Sequence, residues 1–278
     1  MTDPFGARLR AATDARGPFC PGIDPHAALL HAWGLDDTPD GLERFARTAV
    51  EALAPVSAIL KPQAAFFERH GSRGIVVLER VLADARDAGA LVLLDVKRGD
   101  IGSTAQAYAD AYLDRSSPLA ADAMTVSPFL GLGSVQPFVD AAREHGAGLF
   151  LLALTSNPGA DQVQHARASG GTVAGSVLAG LAELNRGQDP IGSYGAVVGA
   201  TIGSTEEELA INGPLLAPGV GAQGGTAADV RRIFGASLPD VLPSSSREVL
   251  GAGPEPARLR DAVLRANDEY VALLGGVR

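Results

Sequence analysis

The 278-residue chain is 46% hydrophobic and 20% charged, ordinary values for a globular protein with a large core, so disorder is not expected. The net charge of −9 at pH 7 argues against a nucleic-acid surface, and the absence of an export or membrane-spanning pattern predicts a cytoplasmic protein. A single cysteine, Cys20, excludes an intrachain disulfide and a Cys-rich zinc site, and the five histidines lack metal-binding spacing, so no metal is predicted.

Short apolar runs recur along the chain, and each is followed by a segment compatible with a helix. The runs are largely apolar on both faces, which is typical of parallel strands covered on both sides. In chain order the eight predicted strands span residues 18–24, 57–63, 90–97, 123–128, 149–156, 195–201, 214–220 and 240–246.

Helices are predicted between these strands and after the last one. They cover GLERFARTAVEALAP, GIVVLERVLADARDAG, STAQAYADAYL, VQPFVDAAREHG, the region 170–187, TEEELAIN, AADVRRIFG and LRDAVLRANDEYVALLGG. Eight strands with eight helical followers favour a (β/α)₈ TIM barrel over an open doubly wound sheet, and such barrels often use about 250 residues for one domain. We therefore predict a single (β/α)₈ barrel domain over residues 1–278, with a glycine-rich 157–193 segment as its longest connection.

Polar residues stand at the ends of the predicted strands, where barrels place their active sites. They are Asp24, Lys61, Gln63, Asp95, Lys97, Asp100, Thr125, Ser127, Thr155, Ser156, Thr201, Gln223 and the run Ser244 to Arg247. The first three strands are neighbours in a barrel, so their charged ends should form one wall of alternating carboxylates and lysines.

Asp95 and Lys97 are two residues apart in an extended segment, so both should project to the same face of the strand. An ion-pair cluster that merely closes the barrel is the alternative to a functional site. A partly buried network of five charges carries a large desolvation cost, however, which favours function. A lysine held between carboxylates stays protonated, and it therefore suits a proton donor better than a Schiff-base nucleophile.

The segment PGVGAQGGT, residues 218–226, contains a GxGxxG pattern between a predicted strand and a predicted helix. A dinucleotide-binding turn is one interpretation, but the acid expected at the end of the next strand is absent, since Asp240 begins that strand. After strand seven of a barrel, the same glycines more simply offer backbone N–H groups to a phosphate, and Arg247 could add a bidentate cation.

These motifs together resemble one known family. DVKRGDIGST, residues 95–104, is similar to the DxKxxDIxxT motif of orotidine 5′-phosphate decarboxylase. GIDP, LKPQ, LTSNPGA, PGVGAQGG and SSSR follow in the order found in that family, and the resemblance is closest to its longer bacterial form. Related phosphosugar barrel enzymes share DxKxxD, so a β-keto acid decarboxylase or an epimerase is the alternative. A Schiff-base aldolase and a catalytically silent nucleotide-binding protein are more distant ones.

The resemblance implies decarboxylation of orotidine 5′-monophosphate to UMP and carbon dioxide, without a cofactor or metal, by a homodimer with shared active sites. Lys97 would be the catalytic cation and proton donor, with Asp95 beside the departing carboxylate, and Asp100 and Lys61 would complete the catalytic set. The resemblance implies that Asp24 and Lys61 bind the ribose and that Ser156 binds the pyrimidine amide edge. It implies phosphate binding by Gln223, Arg247 and the loop glycines Gly221, Gly224 and Gly225. It also implies that Asp100, Ile101 and Thr104 enter the active site of the neighbouring subunit.

Overall fold

A computed structural model describes residues 3–168 and 170–275. Eight parallel strands close into a barrel in which each strand pairs with its chain neighbours and the last pairs with the first. The barrel strands are β1 (Cys20–Ile23), β2 (Ile59–Pro62), β3 (Leu91–Arg98), β4 (Ala123–Val126), β5 (Gly148–Leu154), β8 (Tyr194–Val198), β9 (Leu215–Pro218) and β10 (Val241–Ser245). Strands β6 (Arg167–Ala168) and β7 (Gly171–Thr172) form a separate antiparallel hairpin within the long 157–193 connection. All eight predicted strands and the barrel are confirmed.

The helices surround the barrel. They are α1 (Phe5–Arg16), α2 (Ala27–Ala32), α3 (Pro39–Leu53), α4 (Ala65–Glu68), α5 (Gly71–Asp87), α6 (Gly102–Leu113), α7 (Gln136–His145), α8 (Val173–Leu184), α9 (Ala227–Phe234), α10 (Arg247–Leu250) and α11 (Pro256–Gly275). Seven of the eight predicted helices are present with shifted ends.

The predicted helix TEEELAIN, residues 205–212, is wrong. In the structure the chain from 199 to 214 crosses from β8 to β9 without a helix. The Thr205 hydroxyl accepts a hydrogen bond from the Glu207 N–H, and the Glu208 carboxylate accepts one from the Ala210 N–H. Such local side-chain bonds compete with helical ones. The two buried apolar side chains, Leu209 and Ile211, are two residues apart, which is the spacing of an extended segment.

Helix α3 shows why the sequence makes the outer layer helical. The Thr38 hydroxyl accepts a hydrogen bond from the Gly41 N–H, and Pro39 occupies the first turn, where its missing N–H costs nothing. Leu42 and Phe45 then lie on the face that is buried against the barrel. This apolar face fixes the helix beside the strands and leaves the strand ends free for other side chains.

The barrel interior is filled from its N-terminal end. Each of the eight strands contributes one side chain to an inner cluster, and these are Cys20, Ile59, Leu93, Ala123, Phe150, Val197, Leu216 and Leu242. Phe5 and Leu9 of α1 belong to the same cluster, and the Phe5 ring meets that of Phe150 edge to face. Helix α1, which was not among the predicted elements, thus closes this end of the barrel interior and leaves the C-terminal mouth open.

Candidate active site

The end of β3 is irregular at the point where its charged residues begin. Leu94 pairs with Met124 of β4 and Arg98 with Val126, so three residues of β3 lie opposite one residue of β4. Lys97 has a φ of +45°, a left-handed conformation that is uncommon outside glycine. The bulge turns Lys97 out of the regular pleat, and strained backbone of this kind is concentrated at functional sites.

Four charged side chains at the C-terminal ends of β1, β2 and β3 form a continuous array, with Asp24 directly after β1. The Lys97 Nζ lies 2.6 Å from Asp95 Oδ1, and Lys61 Nζ lies 3.5 Å from Asp95 Oδ2. Lys61 Nζ is also 3.9 Å from Asp24 Oδ1. Asp95 and Lys61 are buried, whereas the Lys97 side chain is 46% exposed. The array therefore presents one ammonium to the mouth and keeps the other in the wall.

The electrostatics of the array favour its charged form. Burial opposes ionisation of Asp95, but the nearby Lys61 and Lys97 charges outweigh burial and lower its pKa below the usual range. Burial also opposes the charge on Lys61, yet Asp24 and Asp95 raise its pKa above that of a free lysine. Both buried groups are therefore ionised at neutral pH.

Two hydroxyl groups hold the carboxylates of the array. Thr125 Oγ1 donates to Asp95 Oδ1 at 2.8 Å, and Ser246 Oγ donates to Asp24 Oδ2 at 2.8 Å. Gly22 leaves room for Ser246, because a Cβ at Gly22 would lie only 2.8 Å from the serine Cβ. The sequence signal for these hydroxyls is only their position among the polar residues at strand ends.

The glycine-rich loop after β9 forms a compact turn at the same end of the barrel. Gly221 N–H donates to Gly225 O at 2.8 Å, and Gly224 N–H donates to Gly221 O at 2.7 Å. Gly221 and Gly224 have φ values of +66° and +94°, which favour glycine. A Cβ at Gly221 would also collide with the carboxylate of Glu248 on α10, so the loop and this short helix lie in contact.

The other predicted binding residues lie on two loops and at the start of a short helix, all beyond the C-terminal ends of the strands. Gln223 is exposed in the glycine-rich loop, Arg247 is the exposed first residue of α10, and Ser156 is exposed just after β5. Within the described part of the chain, the Arg247 guanidinium has no ion-pair partner. The structure connects none of these three side chains directly to the charged array.

The long 157–193 connection is anchored beside Ser156. The Gln164 side chain accepts a hydrogen bond from the Thr155 N–H at 2.8 Å and donates to the Thr155 hydroxyl at 2.6 Å. This amide clamp, which the sequence did not indicate, fixes the chain as it leaves β5. The connection therefore helps to set the position of Ser156.

The predicted intersubunit residues lie apart from the array. The carboxylate of Asp100 accepts a hydrogen bond from the Ile101 N–H at 2.8 Å and makes no ion pair among the described residues. Ile101 is 62% exposed, and Thr104 is exposed on the first turn of α6. The charged wall within one chain thus has four members, and Asp100 is outside it.

No three or more His, Cys, Asp or Glu side chains within residues 3–168 and 170–275 are grouped to hold a metal ion. In the same part of the chain, no helix has both the length and the apolar character required to cross a membrane.

Lys61 and Lys97 are the two lysines of the whole sequence, and the other 21 of its 23 Lys and Arg residues are arginines.

The fold and the charged mouth define a (β/α)₈ barrel of the enzyme type, because barrel enzymes carry their active sites at the C-terminal ends of the strands. Residues 17–262 match the model of the orotidine 5′-phosphate decarboxylase / HUMPS family. The chain belongs to this family.

Relatives and solved structures agree with this assignment. An orotidine 5′-phosphate decarboxylase of a Nocardioides species is 67% identical over 270 residues, which cover 96% of this chain and 98% of the relative. The Streptomyces coelicolor protein of the same name is 61% identical over 95% of both chains. The OMP decarboxylase structure from Leishmania donovani has a TM-score of 0.76 at 28% identity, and covers 97% of this chain and 98% of that one. The alternative of another DxKxxD phosphosugar enzyme is not favoured.

Proposed function

We propose that this chain is a cytoplasmic homodimeric enzyme that converts orotidine 5′-monophosphate to UMP and carbon dioxide in de novo pyrimidine synthesis. The bond between C6 and the carboxylate breaks, and its electron pair stays on C6 as carbon dioxide leaves. The Lys97 ammonium stabilises this charge and then transfers a proton to C6. Solvent then returns a proton to the Lys97 amine, so the reaction requires no cofactor as a source of protons or electrons.

The observation that carries the proposal is the array of Asp24, Lys61, Asp95 and Lys97, with a single exposed ammonium at the mouth of the barrel. The carbanion lone pair lies in the plane of the pyrimidine ring and is not conjugated with its carbonyls, so the ring offers no electron sink. A fixed cation interacts most strongly with charge that develops in the transition state, which is where binding accelerates the reaction.

Asp24 and Lys61 are assigned to binding of the ribose hydroxyls of the substrate. Asp24 Oδ1 is buried and has no hydrogen-bond partner among the described residues, although it lies 3.9 Å from the Lys61 ammonium. A buried acceptor without a donor is costly unless a ligand supplies one. A ribose hydroxyl that donates to Asp24 and accepts from Lys61 would satisfy both groups.

Direct assay tests the proposal. Purified, folded wild-type protein should decrease the pyrimidine absorbance of orotidine 5′-monophosphate and release carbon dioxide with full activity in the presence of a metal chelator. The chelator distinguishes this reaction from the metal-dependent chemistry of related phosphosugar enzymes. Absence of turnover in protein with a normal thermal unfolding transition would reject the proposed function.

The phosphate is assigned to the glycine-rich loop, Gln223 and Arg247. In the structure the N–H groups of Gly221, Gly224 and Gly225 donate to carbonyls within the loop, so the assignment depends chiefly on the two side chains. Replacing Arg247 with alanine should raise KM for orotidine 5′-monophosphate about 10- to 150-fold, because charge-assisted hydrogen bonds contribute about 1.5–3 kcal/mol. The control substrate is orotidine, which lacks the phosphate, and its kcat/KM should hardly change. The control variant Arg258→Ala removes an exposed arginine on α11, and it should leave KM and kcat/KM for both substrates unchanged. Equal losses on the two substrates would contradict the phosphate assignment.

Asp100, Ile101 and Thr104 are assigned to the partner's active site. The exposed side chains of Ile101, Phe129 and Leu130, which are 62%, 74% and 53% exposed, support a subunit contact at this edge of the barrel. An isologous dimer would bring the same edge of two chains together.

Mixing inactive variants tests the shared site. Lys97→Ala and Asp100→Ala subunits should regain about a quarter of wild-type activity after exchange, since half of the randomly formed dimers contain one intact site. A mixture of Lys97→Ala with Asp95→Ala is the matched control, because every hybrid site then keeps a lesion. No rescue in the first mixture, with hybrid dimers demonstrated by mass spectrometry, would exclude a shared site.

A further inference from the structure

The hydroxyl of Thr125 occupies the gap that the β3 bulge creates. Because Asp95, Val96 and Lys97 all lie opposite Thr125, the regular ladder cannot supply a carbonyl for each N–H of β3. Thr125 Oγ1 accepts hydrogen bonds from the N–H of Val96 at 3.0 Å and from the N–H of Lys97 at 2.9 Å. The side chain thus takes the place of the missing main-chain acceptor.

The same hydroxyl has one direction left for its proton. A threonine hydroxyl offers two lone pairs and one O–H. Both lone pairs are used by the N–H groups of Val96 and Lys97, so the proton is directed at Asp95 Oδ1, 2.8 Å away. That carboxylate oxygen also receives the Lys97 ammonium at 2.6 Å. One buried group therefore contacts both the backbone and the counter-ion of Lys97.

We propose that Thr125 is a positioning residue for the reaction: its hydroxyl holds Lys97 in the left-handed conformation and orients the Asp95 carboxylate beneath its ammonium. Thr125 is 1% exposed and lies beneath the array, so it acts through these two residues and not on the substrate itself. The kinetic part of this inference rests on the proposed function. The structural part concerns the bulge and can be measured without turnover.

The kinetic test compares two variants. Thr125→Val preserves the shape but removes the hydroxyl, and kcat should fall about 100-fold, the effect of a small misplacement of a reacting group. KM should stay within about threefold, because the groups assigned to ribose and phosphate binding are untouched. Thr125→Ser keeps the hydroxyl and should retain kcat within about threefold of wild type. Wild-type kcat in Thr125→Val, or equal losses in the two variants, would overturn the proposal.

Amide hydrogen exchange measured by NMR gives a readout independent of activity. In Thr125→Val the amides of Val96 and Lys97 should exchange about tenfold faster, the factor that corresponds to one lost hydrogen bond, while Thr125→Ser should match wild type. Unchanged exchange in Thr125→Val overturns the proposal whether or not the wild type decarboxylates the substrate. If Thr125→Val does not fold, Thr125→Cys, whose thiol is a weak donor and acceptor, is measured against the same two criteria.

Discussion

Lys97→Ala is expected to lower kcat for orotidine 5′-monophosphate by about 10⁴- to 10⁷-fold. The range combines about 10²–10⁴ for a positioned proton donor with about 10²–10³ for a preorganised charge at the reacting centre. Stability should fall by only about 1 kcal/mol, because the Lys97 side chain is 46% exposed and the buried Asp95 keeps Lys61 and the Thr125 hydroxyl as partners. The measurements are single-turnover decarboxylation and UMP binding by calorimetry.

Lys97→Arg is the matched control for the two roles of the lysine. Arginine keeps the charge, but its guanidinium stays protonated in proteins and is a poor proton donor. We expect activity between those of wild type and Lys97→Ala, with UMP binding retained in both variants. If the kcat of Lys97→Ala were within tenfold of the wild-type value, Lys97 would not be the catalytic residue proposed here.

Asp95→Asn should impair both turnover and folding. The variant loses the negative charge that lies between two ammonium groups, so Lys97 is no longer held and kcat should fall by at least about 100-fold. Lys61, which is buried, retains Asp24 as its one carboxylate neighbour at 3.9 Å. Removing one partner from a buried ion pair costs about 3–5 kcal/mol, and we expect a loss near the lower end in urea unfolding.

Asp100→Asn is the matched control for stability, since it makes the same chemical change five residues away at a carboxylate outside the array. Its free energy of unfolding should stay within about 0.5 kcal/mol of wild type. Equal destabilisation by the two substitutions would mean that net charge, and not the buried array, determines the effect.

The stability difference between wild type and Asp95→Asn should depend on pH in a defined direction. The folded-state pKa of Asp95 is lowered, so its contribution is complete above the unfolded pKa of about 3.9 and is lost as the pH falls through the folded value. The pKa of Lys61 is raised, so its contribution is complete below about pH 10.4 and is lost only at higher pH. We expect a constant difference from about pH 5 to pH 9 that shrinks below about pH 4.

The barrel was predictable because parallel strands covered on both faces leave a strong apolar signal, and all eight strands carry it. Helix α1 escaped prediction because its twelve residues contain just two long apolar side chains, Phe5 and Leu9, which is a weak pattern. TEEELAIN was misinterpreted because its composition suits a helix, whereas local hydrogen bonds and the alternate burial of Leu209 and Ile211 favour an extended chain.

The charged residues of the site were predictable from the sequence, but the hydroxyl groups that hold them in place were not. Strand order places the ends of the strands that carry Asp24, Lys61 and Asp95 next to one another, and the sequence shows this order. The hydrogen bond from Ser246 to Asp24 joins residues 222 positions apart, and that from Thr125 to Asp95 depends on a bulge. The pleat predicts that Asp95 and Lys97 share a face, yet their contact forms on irregular backbone that no periodicity describes.

The distribution of nucleophilic side chains also makes the protein selective toward covalent reagents. Lys61 is enclosed in the wall and Lys97 is half-exposed, while burial raises the pKa of the Cys20 thiol to about 12. Succinimidyl esters need an unprotonated amine, so the ion-paired Lys97 should react slowly and the enclosed Lys61 hardly at all, and maleimides should find no ready thiol. Of the two lysines, only that of the proposed reaction centre is exposed, so coupling through a lysine would block the site, and an oriented surface requires an engineered cysteine on an outer helix.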